Sequence, residues 1–423
     1  MRRIALAAAL VLALVAARQR SVRPPNATPT FNRDVVRILQ NNCQSCHHPG
    51  GGAPFSLMTY GDAFPNRLAI KVMTKSRQMP PWKPVAACGD FVDARGLTPN
   101  EIDTILKWID AGAPEGDPAD LPSPLEFSGE WESGEPDLVL SYPQPYTPPA
   151  SGEDMYRCFP IPANLTADKY VSAVDFKPGD PKTVHHVIAY LDTTGVSAQL
   201  DQNEAGPGYK CFGGPGFLPL NATAATLGGW APGARATTLP DGVAMSLPAT
   251  ARVVLQVHYH VHGGVAEPDT TRIGVYYAKS KPQKLMRIWP IINFLFTIPP
   301  NDPNYRVTAS YPVTQDAHAV LIAPHMHLLG RKMRVQAALP NGSTECLINI
   351  DDWDFNWQGM YRYETPVALP AGSRLSLEAF YDNSSGNVRN PNHPPKSVSW
   401  GEETTDEMCI AFLGVTLDAE NLK

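Results

Sequence analysis

From Leu138 onward, short apolar stretches alternate with proline- and glycine-rich turns. "TVHHVIAYLD", "ARVVLQVHYHV", "RIGVYYA", "AVLIAPHMHLL" and "RLSLEAFYD" are each long enough for one strand and no longer. Long amphipathic helices are missing from this part, so its apolar residues can be buried only by stacking sheets. The pattern predicts two all-β sandwich domains. The 43 prolines and 32 glycines of the chain fit such a turn-rich architecture. With 423 residues the chain exceeds one ordinary domain.

The first 116 residues read differently. Arg2 and Arg3 precede an apolar run from Ile4 to Ala17, with small residues at Val15, Ala16 and Ala17. The run is too short to span a bilayer comfortably, and the pattern is that of a secretory signal peptide over residues 1–17. An uncleaved membrane anchor is the alternative. Either places the chain outside the cytoplasm, periplasmic or secreted, where disulfides persist. "IWPIINFLFTIPP" (288–300) is apolar, short and bounded by proline, so it reads as buried strand rather than a membrane span. No stable membrane insertion is expected beyond the leader. A net charge of -6 without any basic run argues against nucleic acid as a partner.

"NNCQSCHHPGGGAP" sets Cys43, Cys46 and His47 in C-x-x-C-H spacing. Two thiols so placed can each add to a vinyl group of one haem while the adjacent imidazole ligates iron, which is the pattern of c-type haem attachment. A bare redox pair would not need the histidine, and zinc would need two more ligands. In "SRQMPPWKP", Met79 precedes two prolines in a stiff loop and is the expected sixth ligand. Met73 lies in the helix-like "LAIKVM" and is assigned to packing, and His48 to an exposed neighbour of His47. "FNRDVVRILQNNC" predicts a first helix. "LTPNEIDTILKWIDAG" predicts a last one, with Thr98 as N-cap, Pro99 at N1, Glu101 closing a capping box and Gly112 ending it. Residues 30–116 are thus expected to form a small all-α haem domain. "CQSCH", "MPPW" and "WIDAGAPEGD" resemble cytochrome c modules fused to larger bacterial enzymes. Residues 117–137, rich in proline, glycine and acid, read as a linker.

The remaining chemistry lies in histidine clusters. His325 and His327 are two apart in "APHMHLLG", so on a strand they share one face and can chelate one ion. Their flanks are apolar, and burying two imidazoles there without a partner is costly. His258, His260 and His262 alternate in "QVHYHVHGG", which leaves open a complete three-histidine site or one ligand with polar neighbours. His185 and His186 are adjacent and would point to opposite faces of an ideal strand. They can share a metal only where the backbone bends or bulges. His318 and His393 are isolated. Imidazole alone suits copper, zinc, iron or nickel.

In order along the chain, "TVHHVIAY", "LQVHYH", "PHMHLLGRK" and "TTDEMCIAF" resemble the copper type II, ascorbate-dependent monooxygenases. The similarity covers roughly residues 138–420. It implies two jelly-roll-like sandwiches, here 138–284 and 285–423, each holding one copper, with a solvent-filled cleft between. The resemblance assigns His185, His186 and His258 to an electron-transfer copper. It assigns His325, His327 and Met408 to the copper that meets O2 and substrate, the thioether favouring the cuprous state. On this assignment His260 and Gln256 become polar neighbours of the first site and His262 a strand end near solvent. The resemblance also pairs Cys158 with Cys211 and Cys346 with Cys409. Cys88 is then left over, as a free thiol or an intermolecular bridge.

Peptide-amidating members of that family hold their substrate with an Arg, an Asn and a Tyr. The matching positions here are Ala323, Ile410 and Phe412, which disfavours a peptide carboxylate and favours a fairly apolar small molecule. The implied reaction is hydroxylation of a C–H bond with O2. Its electrons would come from an ascorbate-like reductant or a redox protein, passed through the fused haem. A non-catalytic copper and haem electron-transfer protein is the rival from another class. A blue-copper reductase would need a cysteine ligand, and a zinc hydrolase would not use Met408.

Overall fold

The computed structural model describes residues 28–127, 129–150, 154–217, 226–260 and 266–423. The expected signal peptide and His262 lie outside the described residues. Among the described residues no helix is long and apolar enough to cross a membrane.

The chain is mostly β. One pair of sheets encloses a core built by Val171, Val174, Val187, Leu227, Val253, Leu255, Val257, Ile273 and Val275. Its five-stranded sheet runs in the order Tyr209–Lys210, Met155–Pro162, Arg252–Tyr259, Val184–Asp192, Thr226–Trp230. Odd-numbered residues of Arg252–Tyr259 enter this core. The even-numbered Val254, Gln256 and His258 therefore face outward, as the two-residue period of a strand requires. A second pair of four-stranded sheets encloses another core. It contains Trp289, Ile322, Met333, Val335, Leu347, Leu377, Ala411 and Leu413. Here Ala317–His325 lies between Ile410–Leu417 and Tyr361–Leu369.

Residues 28–113 carry short helices around Phe31, Leu39, Ile105 and Trp108. The helix Pro99–Asp110 starts in the expected capping box of Thr98 and Glu101 with proline at N1. It ends where Gly112 turns to φ +86° and Ala113 N–H reaches back to Trp108 O at 2.9 Å, a Schellman closure. Met73 sits half-buried in the helix Arg67–Lys75. His48 is not a free surface group: its ring stacks on Phe127 at 4.1 Å.

Three sequence expectations need correction. Cys346 pairs with Cys88, not Cys409; the Cys158–Cys211 bridge forms, and Cys409 is a buried free thiol. The reason is that residues 83–92 leave the helical part and run along the second sandwich. Pro84 bridges Ile350, Val85 N–H bonds Asn349 O at 2.9 Å, and Phe91 bridges Tyr363. That path sets Cys88 beside the strand Thr344–Ile350. Secondly, only part of "IWPIINFLFTIPP" is buried strand. Trp289 and Ile291 enter the core, whereas Phe294 and Leu295 are 56% and 92% exposed. Thirdly, the linker is tied down where Trp131 packs on Gly274 and Glu132 pairs with Arg235.

The Cys88–Cys346 bridge closes a separation of 258 residues. Replacing both cysteines with alanine is expected to lower unfolding stability by about 2–4 kcal/mol. Chemical denaturation with thiol counting tests this, since the wild-type chain should lose both half-cystines at Cys88 and Cys346 only after reduction.

Candidate metal centres

His186 and His258 sit opposite each other on neighbouring antiparallel strands, so both project from the outer face. The register jumps between Val184 and His186, where two residues on one strand meet one on the other. His185 is the extra residue of this β-bulge, which turns it to the same side as His186. The Nδ1 atoms of His185 and His186 are 3.4 Å apart, and those of His186 and His258 3.3 Å. The three rings form one group whose ligand atoms all lie within 4.8 Å of one another.

Burial pushes His185 down to about 3, with His258 and His260 adding to it, and it drives His186 well below the usual range. His258 is lowered by burial against the opposing pull of Asp154. All three are therefore neutral near pH 7, the form that ligates metal. The three Nδ1 atoms converge at hydrogen-bond distance, so a cation among them would be met by three ring nitrogens. Two nitrogens each about 2.0–2.1 Å from one ion would stand roughly 3.3–3.5 Å apart at tetrahedral to trigonal angles, which is the spacing found. These residues fit a metal ion.

Asp154 orients the group. Its Oδ2 lies 3.2 Å from His258 Nε2, and the same carboxylate takes His260 Nδ1 and the hydroxyl of Thr404. Burial would raise Asp154, but these hydrogen bonds outweigh it and hold it well below the usual carboxylate range. The carboxylate stands on the Nε2 side of His258, and Nδ1 faces His186. Tyr156 stacks flat on His258 at 4.3 Å. Gln256 does not serve this site: its amide donates to Cys211 O at 3.0 Å.

Protonating His185 costs folding free energy because its folded-state value lies far below the unfolded 6.5. Between those values the unfolded chain binds more protons, so stability falls as pH drops from about 6.5 toward 3. For His185 alone this amounts to about 2 kcal/mol between pH 7 and 5. Urea denaturation of the metal-free chain at both pH values checks it, and His185→Gln should flatten the dependence.

The second group lies at the end of the strand Ala317–His325 and the turn after it. His325 Nδ1–H donates to Gln358 Oε1, and His327 Nδ1–H donates to Asp406 O at 3.2 Å. Each ring is thus left with Nε2 as its free ligand atom. The ring centroids are 5.1 Å apart at 85°. Burial brings His325 down to about 4 and His327 well below the usual range, so both are neutral. Met408 follows Glu407, which is fully buried and accepts from the backbone N–H of His327 at 2.9 Å, Leu329 at 2.6 Å and Met408 at 3.3 Å. Tyr381 O–H holds Met408 O at 2.7 Å. One carboxylate therefore fixes the His327 turn and the Met408 segment together. Two imidazoles beside a thioether residue suit copper in its softer, reduced state.

On this sheet Ile292, Ile410 and His325 stand in one row across three strands, and Pro290, Phe412 and Ala323 in the next. Opposite residues share a face, so His325 rises from an apolar surface. His318 is elsewhere, paired with Asp418 at 2.7 Å, and His393 is exposed.

In the helical part, Cys43 and Cys46 are unbridged thiols, with Cys43 pushed up to about 12 by burial and the neighbouring Cys46. His47 Nδ1–H donates to Phe55 O at 2.9 Å, leaving Nε2 for a ligand. Met79 is half-buried in the loop after Arg67–Lys75. Two free thiols and an oriented imidazole fit a covalently attached haem.

Sequence reasoning missed Asp154, Gln358 and Glu407. Only Glu407 carried a signal, as the residue before Met408. The others lie in irregular segments far along the chain from the histidines they touch.

Residues 293–415 match the family described as copper type II ascorbate-dependent monooxygenase, C-terminal domain. DBH-like monooxygenase protein 1 of Mus musculus is 27% identical over 263 residues, which is 56% of this chain and 39% of that protein. The Homo sapiens protein of the same name is 25% identical over 261 residues, again 56% of this chain and 39% of its own length. Putative DBH-like monooxygenase protein 2 of Homo sapiens is 23% identical over 278 residues, covering 61% and 52%. The chain spans well under two thirds of each of these relatives. The segment that carries His325, His327 and Met408 is thus similar to the C-terminal domain of the copper type II ascorbate-dependent monooxygenases.

Proposed function

We propose that the chain is a copper monooxygenase that hydroxylates a C–H bond of a small, fairly apolar organic substrate with O2. The observation that carries this reading is the convergence of His185, His186 and His258 opposite a second histidine pair in a matched family domain. His185, His186 and His258 would hold one copper, and His325, His327 and Met408 the other. Copper in these sites supplies the one-electron chemistry needed to activate O2.

The chain's own residues do the rest. Asp154 stands on the outer nitrogen of His258 and Gln358 accepts the proton on the outer nitrogen of His325, so the inner nitrogens face the metal sites. Glu407 locks the turn on which His327 and Met408 depend. Ala323, Ile410, Phe412 and Ile292 form an apolar floor beside His325 that offers a substrate carboxylate no cation. Cys43, Cys46, His47 and Met79 would carry a c-type haem in a small cytochrome c domain of residues 30–116. This haem would receive electrons from an ascorbate-like reductant or a redox protein. Two disulfides fit the oxidising, exported setting this requires.

The test is to load the purified chain with copper and supply reductant and 18O2 together with a panel of apolar and carboxylate-bearing compounds. Incorporation of one labelled oxygen into an apolar compound supports the reading. Copper and haem that cycle without substrate-dependent O2 uptake would leave an electron-transfer protein instead.

A further inference from the structure

A cleft opens where three segments meet: residues 81–95 after the Met79 loop, the loop 232–238 of the first sandwich and residues 357–362 of the second. Trp82, Arg95, Arg235, Trp357, Tyr361 and Arg362 line it. Three guanidinium groups thus gather among three aromatic rings. The segments are pinned to one another. Gly233 turns at φ +83°, and a Cβ there would meet the Trp357 ring at 2.8 Å and Pro81 at 3.5 Å. Val92 N–H donates to Arg362 O at 2.9 Å, and Trp82 meets Tyr361 edge-to-face at 5.3 Å and 88°.

The three cations are not equivalent. Arg235 pairs with Glu132 and, at 3.3 Å, with Asp93. Arg95 makes no ion pair among the described residues. Its Nη2–H donates to Gly233 O at 2.8 Å, its guanidinium carbon lies 5.7 Å from the Trp82 ring centroid, and its Nε is buried without a partner. Burial draws Arg95 below its usual range, and the neighbouring Arg235 adds to this. A largely buried guanidinium without a carboxylate loses hydration with no ion pair to offset it. Elsewhere the fold avoids this: Arg157, 5% exposed, stands 3.3 Å from Glu204. A guanidinium fork matches a planar oxyanion, and flat aromatic walls match a ring.

We propose that this cleft is a binding site for an oxyanion carried on a planar ring, with Arg95 as its anchor and Arg362 as a second cation. Two sources offer this chemistry. One is a propionate of a haem attached at Cys43 and Cys46. Cys46 lies near enough to act electrostatically on both Arg95 and Arg235, and Pro81 and Trp82 follow Met79 directly in "MPPW". The other is a free ring anion of the carboxylate or enediolate class. Only the first source rests on the haem reading, and neither rests on copper.

The experiment uses the full purified chain, with Arg95→Gln removing the charge and Arg95→Lys keeping it without the fork. Haem content is measured first. Spectroelectrochemistry then gives the haem reduction equilibrium, and calorimetric titration with benzoate, a redox-inert ring carboxylate, gives free-anion binding. If the haem supplies the anion, Arg95→Gln should keep its haem yet shift the reduction equilibrium toward the oxidised form by about tenfold, about 59 mV for one electron. Benzoate should then not bind. If a free anion occupies the cleft, benzoate should bind the wild type saturably and Arg95→Gln about tenfold more weakly or worse, with the haem equilibrium unmoved. Arg95→Lys should fall between wild type and Arg95→Gln in either case. In a chain without haem, benzoate alone decides. Should Arg95→Gln fail to fold, Arg362→Gln carries the same two measurements. A variant that leaves both the reduction equilibrium and benzoate binding unchanged would overturn the proposal, as would a haem-free wild type that binds no benzoate.

Discussion

Replacing His325 with alanine is expected to leave one copper per chain instead of two and to abolish hydroxylation. His325 offers only Nε2, because its Nδ1–H is committed to Gln358. Its loss leaves an imidazole and a thioether, too few donors to hold the ion tightly. Changing an outer partner of a metal-bound histidine costs about 10- to 100-fold in affinity or activity, so removing the ligand itself should exceed that. His258→Ala should remove the other copper and leave the His325 site loaded. His260→Ala should keep both, since His260 stands on Asp154 rather than among the three facing Nδ1 atoms. Copper analysis of the three variants decides between ligands and buried core histidines. Core histidines would alter stability while leaving the metal content of all three alike.

Glu407→Ala should have the largest effect on folding. The carboxyl is fully buried, and the N–H groups of His327, Leu329 and Met408 all end on it. Truncation leaves three buried donors unpaired at about 1–3 kcal/mol each, so a loss of at least about 3 kcal/mol is expected. Burial raises Glu407 to about 8 against the opposing pull of those donors. Glu407→Gln keeps one acceptor oxygen and no charge, and should cost clearly less. Urea denaturation of both variants, with copper content in parallel, tests this. Glu407→Ala should also lose the second copper, because the His327 turn and Met408 are no longer tied together.

The strand pattern beyond Leu138 and the capping box of Thr98 and Glu101 were legible because each is a local, periodic signal. The H-x-H pair was legible as a local pattern, although the strand ends at His325 and His327 stands in the turn that follows, where Glu407 rather than the strand period places it. The adjacent His185 and His186 were ambiguous, since their sharing a side depends on a bulge that local sequence does not announce. Cys88 was misassigned because its partner is chosen by the path of residues 83–92 across the second sandwich, a long-range contact. Phe294 and Leu295 look like core in the sequence but follow the end of the strand Arg287–Ile292 and remain exposed. Asp154 gains meaning only when segments far apart in the chain meet.

The most direct test is the metal and haem content of the purified full chain. The account predicts two copper ions and one covalently attached haem per chain, with both coppers lost from a chain carrying His258→Ala and His325→Ala together. Zinc in place of copper, or no more than one copper in the wild-type chain, would contradict it.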